Sequence, residues 1–238
     1  MALDEALSVS VRRGDSPSTL RLYSWDRPAV SLGAFQKISD VDVDFCRSCN
    51  VPIVRRPTGG RAILHGDELT YSFSAMNEGL FSGGLMDSYR KLGTAFNRSF
   101  ELIGLSCAIR KDLTKGGELM RSPICFASTS LGEISSGGKK IIGSAQKRWK
   151  DGFLQQGSIP FGIDRRRLAA VFRIPPQTVD YKSLTGLREL LPDFDTGTFR
   201  DHLLAAFEET FSVTLICSQP SPRELEEAHL LVSGKCPR

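Results

Sequence analysis

The chain has 238 residues, 40% of them hydrophobic and 24% charged, a globular composition that excludes a mostly disordered protein and is long enough to bury a core without disulfide or metal staples. Its net charge of +4 is too small to argue for nucleic acid by itself, and no apolar run approaches the roughly 18 residues of a membrane span. Six scattered cysteines, with no charged-then-apolar leader, point to a reduced, cytoplasmic protein.

Residues 1–13 read as an amphipathic helix with Leu3, Ala6, Leu7 and Ser10 on one face. After a turn at 14–19, the run 19–25 alternates as a strand with Leu20 and Leu22 on one side, and 28–35 and 51–56 are two further strands. Between them lies a short helix with Phe45 and Cys49 on one side. Its lone C-x-x-C, Cys46 and Cys49, has no second pair and no nearby histidine, so core or surface thiols are favoured over zinc. Thr58-Gly59-Gly60 punctuates the chain, and 61–75 supplies one or two more strands. Residues 83–105 carry Leu85, Tyr89, Leu92, Phe96, Phe100 and Ile103 at helical spacing, ended by Gly104.

A strand is expected at 105–111 and a loop at 115–124. A β meander follows: 129–136, the Gly137-Gly138 turn, 139–149, the Asp151-Gly152 turn and 152–161. The remainder reads as helices at 165–172, 185–192, 196–211 and 221–235. Phe199, Leu203, Ala206 and Phe207 face inward on the third, and Ser221 and Glu224 form a capping box on the last. The whole, 1–238, is expected to be one α+β domain of mixed and antiparallel sheets flanked by helices, mostly helical from about 165.

Three segments carry chemistry. In residues 55–65, two glycines follow a strand among Arg55, Arg56 and Arg61. Glycine lets backbone N–H groups approach a ligand, and arginine adds planar donors for phosphate or carboxylate; the bland alternative is a hairpin turn with exposed arginines. Neither a Walker loop nor a dinucleotide fingerprint is present. In residues 138–148, Lys139 and Lys140 precede the small residues Gly143, Ser144 and Ala145, which leave room for a ligand; a hairpin with solvated lysines is the alternative. Cys125, in SPICFASTS, is a nucleophile if a nearby cation lowers its pKa, and otherwise an inert buried thiol. With three histidines in the chain, a multi-histidine metal centre is implausible, and His65 alone sits inside a motif.

In order and spacing, MALDEAL, SLGAFQK, VRRPTGGRAILH with ELTYS, ICFAS, and GKKIIGSAQKR followed by LQQGSI resemble the landmarks of the biotin/lipoate protein ligase catalytic-domain superfamily. The likeness covers essentially the whole chain and points most closely to the cysteine-dependent octanoyltransferases of lipoate assembly. It implies that fold, and a reaction in which octanoyl passes from acyl-carrier protein to a cysteine and then to a lysine of a lipoyl domain such as the glycine-cleavage H protein. Residue by residue, it implies Cys125 as nucleophile and Lys140 as the site lysine. It places Arg56, Thr58, Gly59, Gly60, Arg61 and His65 in the acyl and carrier pocket, with Gly143, Ser144 and Ala145 on the opposite wall.

No metal, no cofactor and no nucleic acid are expected, and a monomer is the default. No residue is singled out as the general base; His65 is the one candidate in a motif. Two departures stand out: Gly66 occupies a position where the group usually has aspartate, and no strand precedes the first helix, which would leave a sheet edge exposed. The first rival is an ATP-dependent lipoate–protein ligase using ATP and Mg with Cys125 incidental. Further rivals are an octanoyl amidotransferase acting between lipoyl domains, and a non-catalytic acyl-binding relative.

Overall fold

The computed structural model describes residues 1–109, 134–175 and 185–235. The chain opens with α1 (Ala2–Arg12) and continues through β1 (Thr19–Tyr23), β2 (Ala29–Leu32), α2 (Val43–Ser48), β3 (Ile53–Arg55), β4 (Ile63–His65) and β5 (Glu68–Met76). Next come α3 (Gly84–Leu102), β6 (Ala108–Ile109), β7 (Ile134–Ser136), β8 (Lys139–Arg148) and β9 (Gly152–Pro160), then α4 (Arg165–Val171), α5 (Leu187–Leu190), α6 (Thr196–Phe211) and α7 (Pro222–Lys235). The expected α+β architecture of mixed and antiparallel sheets with flanking helices is what forms.

Two sheets divide the strands. A six-stranded sheet runs β1-β5-β9-β8-β7-β6 with every pairing antiparallel. A smaller sheet runs β3-β2-β4, with β2 parallel to β3 and antiparallel to β4. The hairpin between β7 and β8 turns on Gly137 and Gly138, whose φ of 55° and 78° lie where residues without a Cβ sit at no cost.

Alternation along the strands splits the large sheet into two unlike faces. Tyr71, Phe73, Phe153 and Ile159 pack with Leu92, Phe96 and Phe100 of α3 and with Phe199, Leu203 and Phe207 of α6. The Tyr71 and Phe96 rings lie 4.4 Å apart and Phe96 meets Phe207 edge-on at 5.2 Å. The four inward residues expected on α6 are all buried. The other face of the same strands carries Thr70, Ser72, Ser74, Gln156 and Ser158, all buried, beneath α1 and the small sheet. The small sheet has its own core, where Val30, Leu32 and Ile63 meet Cys46 of α2 and Leu168, Val171 and Phe172.

Three local expectations are corrected. On α2 the buried thiol is Cys46, while Cys49 is exposed, because the helix turns its Cys46 side to the small-sheet core. On α3, Leu85 is 47% exposed and the inward position of that turn is Ser88, which Gln146 and Arg148 of β8 reach with hydrogen bonds of 3.1 and 3.0 Å. On α1, Leu3 is only half-buried, and the inward residue is Asp4.

A β-bulge interrupts β8. Ile142 pairs with Ile134 but Lys140 pairs with Ser135, leaving Ile141 as the extra residue. Ile141 and Ile142 are both in the aromatic core, so the bulge reverses the alternation and returns Lys140 to the phase of Gly143 and Ala145. At the other end of the chain, α7 packs on α1. Its capping box forms as the sequence requires: Ser221 N donates to Glu224 Oε2 at 2.7 Å, and Glu224 N to Ser221 Oγ at 3.3 Å.

Candidate functional site

The loop from Arg55 to Arg61 joins β3 to β4 of the small sheet, lies against the large sheet and is held from within. Arg56 is buried, and both terminal nitrogens of its guanidinium serve the protein's own backbone. Nη1 donates to Ser31 O at 2.9 Å and to Ser31 Oγ at 3.1 Å, and Nη2 to Gly59 O at 2.8 Å and Arg61 O at 2.7 Å. Arg56 thus fixes the curvature of the Gly-Gly loop through planar, divergent donors. Thr58 Oγ1 donates to Gln156 Oε1 at 3.0 Å, and Gln156 Nε2 donates to Asp4 Oδ2 at 2.6 Å. One glutamine therefore ties the loop to α1. Gly60 has φ 84° and sits over Ala145, whose Cβ lies 3.7 Å from where a Gly60 Cβ would be. A Cβ on Gly33 would collide with Gly60 O, so the turn after β2 lies directly against the loop.

A relay of four side chains runs under the loop. Arg56 donates to Ser31 Oγ; Ser31 Oγ is 2.7 Å from His65 Nε2; His65 Nδ1 is 2.7 Å from Glu68 Oε1. Nδ1 thus faces the Glu68 carboxylate and Nε2 the Ser31 hydroxyl. Glu68 also accepts from Thr70 at 2.5 Å and from Ser158 at 2.7 Å. Burial alone would raise its pKa, but the proximity and hydrogen bond of His65, with those of Thr70 and Ser158, outweigh it and hold the carboxyl below the usual glutamate range. Trp25 stacks on His65 with ring centroids 4.3 Å apart and donates from Nε1 to Thr70 Oγ1 at 2.8 Å. Both ring nitrogens of His65 are thus engaged inside the protein.

Between the two sheets runs a narrow slot of about 10 Å³, lined by Ser31, Arg56, Ile63 and His65 on one side and by Thr70, Gly143, Ser144, Ala145, Gln156 and Gly157 on the other, with Met1. Its lining is buried except at Met1, Ser144 and Ala145, which are partly accessible beside the exposed Gly60. A second, wider cleft of about 850 Å³ shares His65 with the slot and includes Trp25, Arg27, Asp67, Glu68, Arg167, Arg188 and Arg200.

Of the residues singled out in the sequence, Arg56, His65, Gly143, Ser144 and Ala145 meet in the slot. Thr58, Gly59, Gly60 and Arg61 form the loop over it. Lys140 is buried on β8 opposite Ser135 and is on neither lining. Cys125 lies outside the described residues, as does the loop expected at 115–124. Ser144 reaches the slot through its backbone, because its hydroxyl lies on the helix-facing side, 2.7 Å from Tyr71 OH. Gln155 donates to the same phenol at 2.8 Å, and burial pushes the Tyr71 pKa up to about 12, so the group stays a neutral hydroxyl. Gly157 is required beneath it, since a Cβ there would strike the Tyr71 ring.

Residue-by-residue reading did not single out Ser31, Glu68 and Asp4, although they lie within the SLGAFQK, ELTYS and MALDEAL landmarks. Asp4 accepts from Arg21 at 2.6 Å, Tyr23 at 3.0 Å and Ser72 at 3.1 Å, besides Gln156. The available signal was an acidic residue on the helix face that should be apolar.

Residues 1–208 match the lipoyl protein ligase A/B catalytic domain. The chain belongs to that family. Within it, the chain is 35% identical over 226 residues to the octanoyltransferase LipM of Moorella thermoacetica, covering 91% of this chain and 83% of the relative. It is 36% identical to the octanoyltransferase LipM of Symbiobacterium thermophilum, covering 99% and 90%. Among solved structures, a lipoate-protein ligase A bound with ATP superposes with a TM-score of 0.79 at 24% identity over 97% of this chain and 87% of that one. A putative lipoate protein ligase from T. acidophilum with bound lipoic acid gives 0.79 at 23%, covering 98% and 88%. At those identities the structures establish the shared ligase-type fold. No helix among the described residues is long and apolar enough to cross a membrane.

Proposed function

We propose that the protein is an octanoyltransferase of lipoate assembly, moving octanoyl from acyl-carrier protein to a lipoyl-domain lysine through a thioester on Cys125. The observation that carries this reading is the near full-length identity of 35–36% to proteins named octanoyltransferases. The likeness to ligases is lower, at 23–24%, and speaks only for the fold.

In the first half-reaction the Cys125 thiolate attacks the carbonyl of the carrier thioester. The C–S bond to the carrier breaks, and the carrier thiolate leaves and takes a proton. In the second, the neutral amine of the target lysine attacks the enzyme thioester, an amide forms, the amine gives up a proton, and the Cys125 thiolate is restored. Thioester exchange is nearly isoenergetic, so neither ATP nor Mg is called for. The Lys140 ammonium favours the thiolate and stabilises the tetrahedral oxyanion; removing one such donor typically costs about 10²–10³ in kcat. The slot between Ile63 and Gly157 takes the acyl chain. At about 10 Å³ it has room for about one water, so the contact between the loop and β8 must open to admit eight carbons.

The test is intact-protein mass spectrometry after mixing the protein with octanoyl-acyl-carrier protein without ATP. The expected result is an adduct of one octanoyl mass that maps to Cys125, is absent in Cys125→Ser and chases onto a lipoyl domain such as the glycine-cleavage H protein. If only ATP with lipoate or octanoate modifies the lipoyl domain, and Cys125→Ser does so equally well, the protein is a ligase.

A further inference from the structure

We infer that the turn after β2 is the docking anchor for the protein that presents the target lysine, with Phe35 as the inserted side chain. Phe35 is 96% exposed. A single exposed apolar residue is ordinary on a protein surface; a rigidly clamped one is not. Arg55 Nη1 donates to Gly33 O at 2.8 Å, Ala34 O at 3.3 Å and Gln36 O at 2.7 Å, gathering the carbonyls on both sides of Phe35 onto one guanidinium. Ala34 N donates to Thr58 O at 2.9 Å, and Gln36 N closes the turn on Gly33 O at 3.1 Å. The phenyl ring is therefore held out on a backbone whose entropy is already spent, the condition under which an aromatic side chain becomes an affinity anchor.

The place of this turn identifies the partner. It lies against Gly60, and Gly60 lies over Ala145, the accessible end of the slot. Phe35 lines neither cleft, so no small molecule in either one covers it, and a convex side chain calls for a partner with a recess. A lysine side chain reaches only on the order of 6 Å from its Cα. A domain offering that lysine to the site must bring its own surface onto the rim and press against whatever stands beside the loop. A donor carried on a long flexible arm has no such constraint. Lys37, exposed on the same turn, adds a cation suited to an acidic rim on the partner.

This rests on the proposed chemistry only as far as the acceptor being a lipoyl domain, which the ligase reading shares. The experiment titrates wild type, Phe35→Ala and Phe35→Asp with an apo lipoyl domain by heteronuclear NMR, and in parallel measures acceptor KM, kcat and the rate of Cys125 acylation by donor alone. Binding of the acceptor is expected to weaken at least tenfold in Phe35→Ala and further in Phe35→Asp, through KM with kcat nearly unchanged. Melting temperature and donor acylation are expected to stay at wild-type values. Unchanged acceptor binding overturns the inference. So does a slowed donor acylation with acceptor binding intact, which assigns the turn to the carrier, or the loss of a wild-type dimer with acceptor binding intact, which assigns it to a second copy. Because the titration needs no turnover, a wild type that binds the acceptor but never forms an acyl-enzyme counts against the transferase chemistry and not against the anchor.

Discussion

The two faces of the large sheet are built from the same strands and obey different rules. Toward α3 and α6, Tyr71, Phe73 and Phe153 meet Phe96 and Phe207 in an aromatic layer whose worth lies in area removed from water and close packing. Toward α1 and the small sheet, Thr70, Ser72, Gln156 and Ser158 are as deeply buried but meet Asp4, Glu68, His65 and Thr58. There the worth lies in every polar group having its partner, since a missing one leaves its neighbours desolvated and unpaired. One face supplies stability and the other supplies a site with fixed geometry.

The largest effect expected tests the first half of that division. Phe96→Ala should cost about 3–5 kcal/mol, seen as a lower denaturation midpoint, with normal acyl transfer at temperatures where the variant is still folded. Lost activity in the folded variant would show that the aromatic layer also shapes the slot. Next in size, Glu68→Gln should cost about 1.5–3 kcal/mol and weaken acyl binding, because the relay to Arg56 loses its anionic end. It should also change the acid limb. A carboxylate held below its ordinary value stabilises the fold fully above about pH 4.3, and that stabilisation fades as pH falls through the lowered value. Wild type should shed this stability on acidification, while Glu68→Gln lacks that part of the slope.

Tyr71→Phe removes a polar group from the helix-facing layer and should cost about 1–2 kcal/mol by leaving Ser144 and Gln155 without their shared hydroxyl. Its ionisation runs the other way. The buried neutral phenol contributes stability that is intact below about pH 10 and fades as pH climbs toward about 12. Ultraviolet titration of the wild type should therefore show one late tyrosine that vanishes in Tyr71→Phe. The smallest effect belongs to Ser221→Ala, about 1 kcal/mol, read as raised hydrogen exchange in α7 and then in α1 beneath it.

These faces differ in how far they can be read from sequence. The aromatic layer announces itself through period: Leu92, Phe96 and Phe100 on α3 and Phe199, Leu203 and Phe207 on α6 recur at helical spacing, and all are buried. The β meander is marked by Gly137-Gly138. The polar face has no comparable signal, because Ser31, Asp4 and Glu68 come from separate elements and share only a place in space. Motif reading finds the Gly-Gly loop but takes Arg56 for a ligand donor. That its guanidinium is bonded to Ser31, Gly59 and Arg61 depends on contacts made across the loop. Phase fails at Ser144 for a related reason: it neighbours Ala145 in the motif, yet strand pleating sends its side chain to Tyr71.

The extra residue in β8 makes parity a heritable property of this strand. Ordinarily a side chain's direction follows from counting along the strand, and a point substitution cannot alter the count. Here Ile141 is a one-residue offset, and pairing it regularly with β7, with the bulge ironed out, would invert the facing of everything on the amino-terminal side while leaving every side chain chemically unchanged. Lys140 would then be sent among the phenylalanines by a frame error in three dimensions. The facing of Lys140 is therefore set by the register that pairs Ile142 with Ile134 and Lys140 with Ser135, whatever the identity of the residue bulged out between them.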